Sequence, residues 1–300
     1  MPSTQELRRK IRSVRSTGKL TRAMQMVAAS KMAKATAAAT ASRTYAQEAW
    51  AILGDLSGRS SASHPLFASR DVREHSRSVL AGGHSGSEGG RRAIVVLTSN
   101  RGLAGSFNSQ LVRIVSQQPE GADLVTVGRK GLAYFRRFRP NQLIADFPAS
   151  DSTPRAADAE PIASLLIQGF LDGTYARVDV AYNQFISTLT QKPVIEQLLP
   201  IQPESAAKAD TSVRAEFVVE PDPQSVLDSL AGRIVPLRLY QMMLESSASE
   251  HSARMVAMKS ATDNAKEIAD DLTLTYQSVR QANITRQIIE VSAGANALSA

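Results

Sequence analysis

The chain has no cysteine, an aromatic content of only 5%, and no apolar run of the roughly 18 residues that a membrane-spanning helix needs. The first absence excludes disulfides, thiolate metal sites and thiol switches. The second fits long helices better than a large sandwich, since a two-helix seam has no interior wide enough for many rings. The third leaves no segment for direct membrane insertion. His64, His75, His84 and His251 show no paired ligand spacing, so no metal site is expected. Proline is missing between Pro2 and Pro65, and again from Leu237 to Leu298, where Gly294 is the sole glycine. Neither end therefore meets a proline that would break its helix.

Acidic residues are scarce at the start. From Met1 to Lys34, Arg8, Arg9, Lys10, Arg12, Arg15, Lys19, Arg22, Lys31 and Lys34 face Glu6 alone, within a chain of net charge +7. Such a segment suits nucleic acid phosphate, an anionic membrane surface or a protein lined with carboxylates. A transit peptide has a similar composition, but here the helical pattern continues unbroken far beyond it.

What is present at the C-terminal end is a heptad seam. Met255, Met258, Thr262, Ala265, Ala269, Leu272, Tyr276 and Val279 step by 3, 4, 3, 4, 3, 4 and 3. A mean spacing of about 3.5 residues keeps one stripe against a partner helix when both wind into a left-handed coiled coil. Thr262 and two alanines in the seam imply a close approach. The N-terminal segment supplies the partner: Leu7, Ile11 and Val14 lie on one face, and Leu20, Met24 and Val27 on another, slightly rotated, with Gly18 at the phase change. Eight of the fourteen residues from Ala28 to Ala41 are alanine, which favours helix and leaves a narrow surface. One helix over residues 3–57 would extend about 80 Å at about 1.5 Å per residue.

Between these arms the period changes. Glycine- and serine-rich stretches after Leu56 and at 81–90 read as linkers. Strands are expected at Ala93–Thr98, Leu124–Val127 and Leu143–Phe147, alternating with helices at Ser106–Gln118, Arg129–Phe138 (a basic run) and Pro161–Leu171. That alternation argues for a parallel sheet flanked by helices. Val178–Ile186 and Val194–Leu199 read as a closing strand pair about a turn containing Pro193. Residues 200–223 are loop-like, with a short extended piece at Phe217–Val219, and Gly232 and Pro236 imply a kink or frayed entry to the last helix. The fold class is α/β plus a long antiparallel coiled coil: an N-terminal helix (1–57), a small Rossmann-like domain (58–222) and a C-terminal helix (223–300).

Two arms flanking one module leave it near the same end, and the C-terminal one outruns the other by roughly 20 residues. Those last residues include Ile284, Ile288, Ile289, Val291 and Leu298. An apolar helix tip without a partner in its own chain needs an apolar sleeve from other subunits.

Chemistry-bearing motifs are sparse. The turn from Asn100 to Asn108 follows the first strand of the alternating series and opens a helix, where a phosphate cradle could sit, but it has only Gly102 and Gly105 and lacks the three-glycine fingerprint. Asp270-Asp271 reads as a solvated helix face. No catalytic residue, cofactor or metal ligand is assigned. Two rival readings are a nucleotide-binding α/β enzyme with helical extensions and a basic coiled-coil binder of nucleic acid. Against the second, the basic arm's apolar positions ask for a helical partner over the same residues, and no aromatic residues interleave with its charges.

The stretch IRSVRSTGKLTRAMQMVAASKM (11–32), together with ARMVAMKSATDNA and ITRQIIEVSAGANAL near the C-terminus, resembles the gamma subunit of F-type ATP synthases. NRGLAGSFN and FVVEPDP extend the likeness to nearly the whole length. The resemblance implies a non-catalytic central rotor shaft, present once per complex within three alpha and three beta subunits. It further implies contacts with the epsilon subunit and the membrane-embedded c-ring, on the cytoplasmic face of a bacterial plasma membrane. Lys19, Arg22, Met24, Lys31 and Lys34 then correspond to the region facing acidic lever segments of beta, and Arg254, Arg280, Gln281 and Thr285 to contacts with beta-subunit loops. Ile288, Ile289, Val291 and Leu298 would belong to the bearing tip, and Phe217, Val219 and Glu220 to the foot. The sequence departs from the family at Asn100 and Ala104, where acidic and cysteine residues are common, and at Pro236 on the shaft helix.

Overall fold

The computed structural model describes residues 3–59, 64–67, 71–72, 89–202 and 222–299. In chain order its elements are α1 (Thr4–Arg59), β1 (Asp71–Val72), β2 (Gly89–Leu97), α2 (Phe107–Ser116), β3 (Asp123–Val127), α3 (Arg129–Phe138), β4 (Leu143–Phe147), α4 (Ala156–Leu171), β5 (Tyr175–Phe185), β6 (Gln191–Leu199) and α5 (Pro223–Ser299). Contacts group them into two units, Met1–Ala28 with Arg254–Ala300, and Ala29–Ala253.

The first unit is a two-helix antiparallel pair. Arg8 donates to the Tyr276 hydroxyl at 2.7 Å, Arg15 to Thr273 at 3.4 Å, and the hydroxyls of Thr21 and Thr262 meet at 2.7 Å. Partner numbers thus fall on one helix as they rise on the other. Every member of the expected α5 seam is buried or half-buried. On α1 the seam runs through Leu7, Ile11, Val14, Gly18, Thr21, Gln25 and Ala28, none of them exposed, in one unbroken 4-3 rhythm. This corrects the expected phase change: Leu20 and Val27 are each 57% exposed, and Met24 is exposed as well. The reason is distance. A Cβ on Gly18 would lie 3.4 Å from the Ala265 Cβ, so at this level the helices approach too closely for large side chains between them, and the larger apolar residues face outward.

The second unit is built on a sheet of order β4-β3-β2-β5-β6, with the short β1 beside β2. All its pairings are parallel except β5 with β6. Alternation along β2 assigns its two faces. Ile94 and Val96 pack with Leu111 and Val115 of α2 and Phe135 of α3. Ala93, Val95 and Leu97 share a larger core with α4 and with Leu227, Ile234, Leu239 and Met242 of α5. Each large apolar side chain buried there contributes about 1.5–3 kcal/mol, which explains why α5 runs unbroken through Gly232 and Pro236 in place of the frayed entry expected there.

Three further expectations shift. Of the expected 81–90 linker, 81–88 lie outside the described residues, and Gly89 and Gly90 belong to β2; a Cβ on Gly90 would stand 2.5 Å from the Ala176 amide nitrogen, so only glycine lets the strands meet. Pro193 sits inside β6 opposite Asn183, and the turn is at 186–190; as the sheet's outer strand, β6 tolerates a missing N–H. Helix α4 starts at Ala156, before Pro161, because the Asp158 carboxylate accepts the Arg155 amide at 2.9 Å and fixes an earlier start. The serine-rich stretch after Leu56 beyond Arg59 and the loop at 203–221 lie outside the described residues.

Candidate functional site

The turn after β2 is the first place to look for a ligand, and its polar groups are already engaged. The N-terminus of α3 points its first amides at protein oxygens: Arg129 N–H donates to Asn100 Oδ1 at 3.3 Å, Lys130 N–H to the Ser99 carbonyl at 3.1 Å, and Gly131 N–H to Thr98 Oγ1 at 2.9 Å. These are the donors a phosphate would need. Within the turn, Asn108 Oδ1 accepts the Ser99 amide at 3.1 Å. The turn is held from outside as well. Asn100 Nδ2 donates to Ala149 O and to Asp151 Oδ1, Arg101 pairs with Asp151 at 2.8 Å, and Lys31 of α1 donates to the Asp151 carbonyl. The Asn100 hydrogen bond, followed by that from Arg101, holds the Asp151 carboxyl below the usual carboxylate range.

In open parallel sheets the ligand crevice lies where strand order reverses, beyond the C-terminal ends of the strands; here that is between β2 and β5. Helix α5 covers it. Ser246 Oγ donates to the Leu97 carbonyl at 3.4 Å, Ser252 Oγ donates to the Thr188 carbonyl at 2.6 Å, and Ser249 between them is fully buried. An open groove of about 730 Å³ lies between α1 (Met32, Thr36, Thr40) and the β5–β6 turn (Phe185, Thr188), and its lining holds no ionisable group. Among the described residues no cluster of His, Asp and Glu is placed to hold a metal ion.

A polar cluster that sequence reasoning missed joins four elements of the second unit. Glu196 of β6 accepts from the Tyr182 hydroxyl of β5 at 2.8 Å and from Arg238 of α5, while Glu245 of α5 pairs with Arg43 of α1 at 3.7 Å. Burial, then the neighbouring Glu196 charge, pushes the Tyr182 phenol far up. Burial likewise raises the Glu245 carboxyl, against the opposing pull of Arg43 and Arg238. A carboxyl whose folded-state pKa is raised contributes stability that is complete below its unfolded value and lost as pH rises through the folded one. The Glu245 contribution to stability should therefore decline as pH climbs above the ordinary value of 4.5, and Glu245→Gln should flatten that decline; urea titrations at several pH values measure it.

The residues singled out in the sequence fall into distinct settings. Lys19, Arg22, Lys34, Arg280, Gln281 and Thr285 are exposed, as is Met24, while Arg254 is half-buried. Lys31 is half-buried and engaged with Asp151, so it belongs with the post-strand turns of its own unit. Arg8 and Arg15, not singled out, flank the seam and cross it to Tyr276 and Thr273; their one-heptad spacing beside the seam was the available signal. From Arg280 to Ala295 every residue is exposed, with Ile288 at 62%, Ile289 at 61% and Val291 at 73%. Phe217, Val219, Glu220 and the side chain of Leu298 lie outside the described residues.

A family model described as ATP synthase matches residues 3–298. The chain is 42% identical to an ATP synthase gamma chain of Roseiflexus castenholzii, over 100% of this chain and 99% of that one. It is 39% identical to one of Moorella thermoacetica, over 99% and 100%. Among solved structures, the fold is similar to a chain of the Euglena gracilis mitochondrial ATP synthase OSCP/F1/c-ring structure, with a TM-score of 0.67 and 16% identity over 98% of this chain and 94% of that one. It is similar too to a chain of the Tetrahymena thermophila central stalk/c-ring, with a TM-score of 0.57 and 24% identity over 81% and 99%.

Proposed function

Because the chain belongs to the ATP synthase gamma-chain family, we propose that it is the central rotor shaft of the enzyme, coupling ion flow through the membrane sector to ATP synthesis by rotation. The observation that carries this reading is the exposed apolar stretch beyond the seam, with Ile284, Ile288, Ile289 and Val291 uncovered in their own chain. A run of such residues along one helix end marks a surface that other chains cover. Leu20, Met24 and Val27 on α1 present a second apolar surface of the same kind.

The shaft performs no chemistry itself. Three alpha and three beta subunits surround it, and its unequal faces bias otherwise equivalent beta subunits toward different nucleotide affinities, so that turning it moves the bias from one to the next. Lys19, Arg22, Met24 and Lys34, with Arg254, Arg280, Gln281 and Thr285, form the collar that meets beta; Lys31 serves the same region indirectly by holding the turn at Asp151. Ile288, Ile289, Val291 and Leu298 form the bearing tip. Phe217, Val219 and Glu220 form the foot toward epsilon and the c-ring. One copy sits in each complex, peripheral to the cytoplasmic face of a bacterial plasma membrane, and the chain divides functionally at 1–57, 58–222 and 223–300.

Mixing the chain with alpha and beta subunits and MgATP tests the proposal by size exclusion and ATP hydrolysis. A single complex whose hydrolysis depends on this chain, and which is weakened by truncation after Gln281, is the expected result. A chain that elutes alone and leaves hydrolysis unchanged would overturn it.

A further inference from the structure

The cationic side chains of α3 belong neither to the shaft nor to the turn after β2. The helix buries Gly131 and Phe135 against the sheet and presents Arg129, Lys130, Arg136 and Arg137 to solvent, with exposed Ala133 among them. These cations occupy positions i, i+1, i+7 and i+8, so two pairs stand about 10 Å apart along one face at about 1.5 Å per residue. The helix carries no acidic residue. Among the described residues none of the four makes an ion pair. The contrast with nearby Arg139 is informative: its guanidinium turns inward, donating to the Ser116 carbonyl at 2.7 Å.

We propose that this face is a seat for an acidic helix of a partner protein. Four cations frame a single small residue, so another helix can approach closely over Ala133 while its carboxylates, one heptad apart, meet the cations at either end. Three of the four are arginines, whose planar forks pair with carboxylates through two parallel hydrogen bonds. A lipid surface fits less well, because the four cations frame an alanine and not a large apolar side chain that could enter the acyl boundary; Phe138, exposed at the end of the helix, lies off this stripe, packed on Tyr134 at 4.6 Å with the Arg137 guanidinium over its ring. Nucleic acid also fits less well, since the charges are confined to a short patch with no aromatic on the stripe to stack on bases. The proposal is independent of the shaft reading, which uses none of these residues.

The probe is a fluorescent peptide of three Glu-Glu-Ala-Ala-Gln-Ala-Ala repeats, which sets glutamates at the complementary spacing, with a Glu→Gln version as control. Anisotropy with the full chain should show binding that weakens with salt and is absent for the control. The R136E/R137E double variant should lose about tenfold or more in affinity, and A133W, which fills the seat without changing charge, should lose a comparable factor. Reversal of Arg9 and Arg12 on α1 should change little. Circular dichroism establishes that each variant is folded, and A133W carries the test should the double variant not fold. Equal binding of the control peptide, or binding indifferent to A133W or to R136E/R137E, would overturn the proposal. So would R136E/R137E releasing the chain from phosphatidylserine vesicles or duplex DNA while leaving the peptide bound.

Discussion

Gly18→Leu should loosen the two-helix unit by about 1–3 kcal/mol, the usual cost of forcing a large side chain into a closed contact, whereas Gly18→Ala should be neutral or stabilising. The geometry separates the two outcomes. A single added methyl would meet the Ala265 Cβ at 3.4 Å, an ordinary contact, and alanine improves on glycine in a helix by about 1 kcal/mol. Any atoms beyond Cβ have no space between the helices and must push them apart. The hydroxyl contact between Thr21 and Thr262, 2.7 Å long and one turn away, would be lost first. Thermal unfolding followed by circular dichroism checks the order alanine, glycine, leucine. If leucine matched the native chain, the seam would not be closed at Gly18.

Arg238→Ala should destabilise the second unit by about 1–3 kcal/mol, less than the 3–5 kcal/mol of a fully buried pair, because both Arg238 and Glu196 keep partial access to water. The loss comes from what stays behind. Without the guanidinium, Glu196 and Glu245 face each other's charge with, among the described residues, the Tyr182 hydroxyl and Arg43 as their remaining partners. Losing the Arg238 pull leaves the Glu245 carboxyl, already raised by burial, higher still, so the destabilisation should be greater at pH 8 than at pH 5. The double variant Arg238→Met with Glu196→Gln should recover most of the loss, since both charges of the pair are gone. Equal loss at the two pH values would mean that the cluster acts through packing alone. Urea unfolding at both pH values makes the measurement.

How much of this could be read from the sequence depended on the range of the interaction involved. The α5 seam was legible because its spacing is carried by residues within one helix, and α3 and β4 were legible at their observed ends for the same local reason. The centre of the α1 seam runs against its sequence pattern. Large apolar residues are the ordinary sign of a buried stripe, yet here Gly18, Thr21 and Gln25 are inside and Leu20, Met24 and Val27 outside. A close approach reverses the usual sign of size, and only the partner helix reveals the approach. In the sequence Pro193 reads as a turn residue because its place on an outer strand depends on the order of the whole sheet. The candidate site divided in the same way. The exposed tip followed from counting the lengths of the two arms, while the engagement of Lys31 with Asp151, and of Arg43 with Glu245, joins residues far apart in sequence whose charges carry no local pattern.

Rotation of this chain inside its complex tests the shaft directly. The absence of cysteine makes a single Gln110→Cys change on the exposed side of α2 a unique attachment point for a bead, once the chain is assembled with cysteine-free alpha and beta subunits fixed to a surface. On addition of MgATP the bead should turn in one direction in discrete steps, and stop when hydrolysis is inhibited. Steady hydrolysis by the same complexes with the bead stationary would contradict the central claim, since the chain would then be a static bracket and not the moving part.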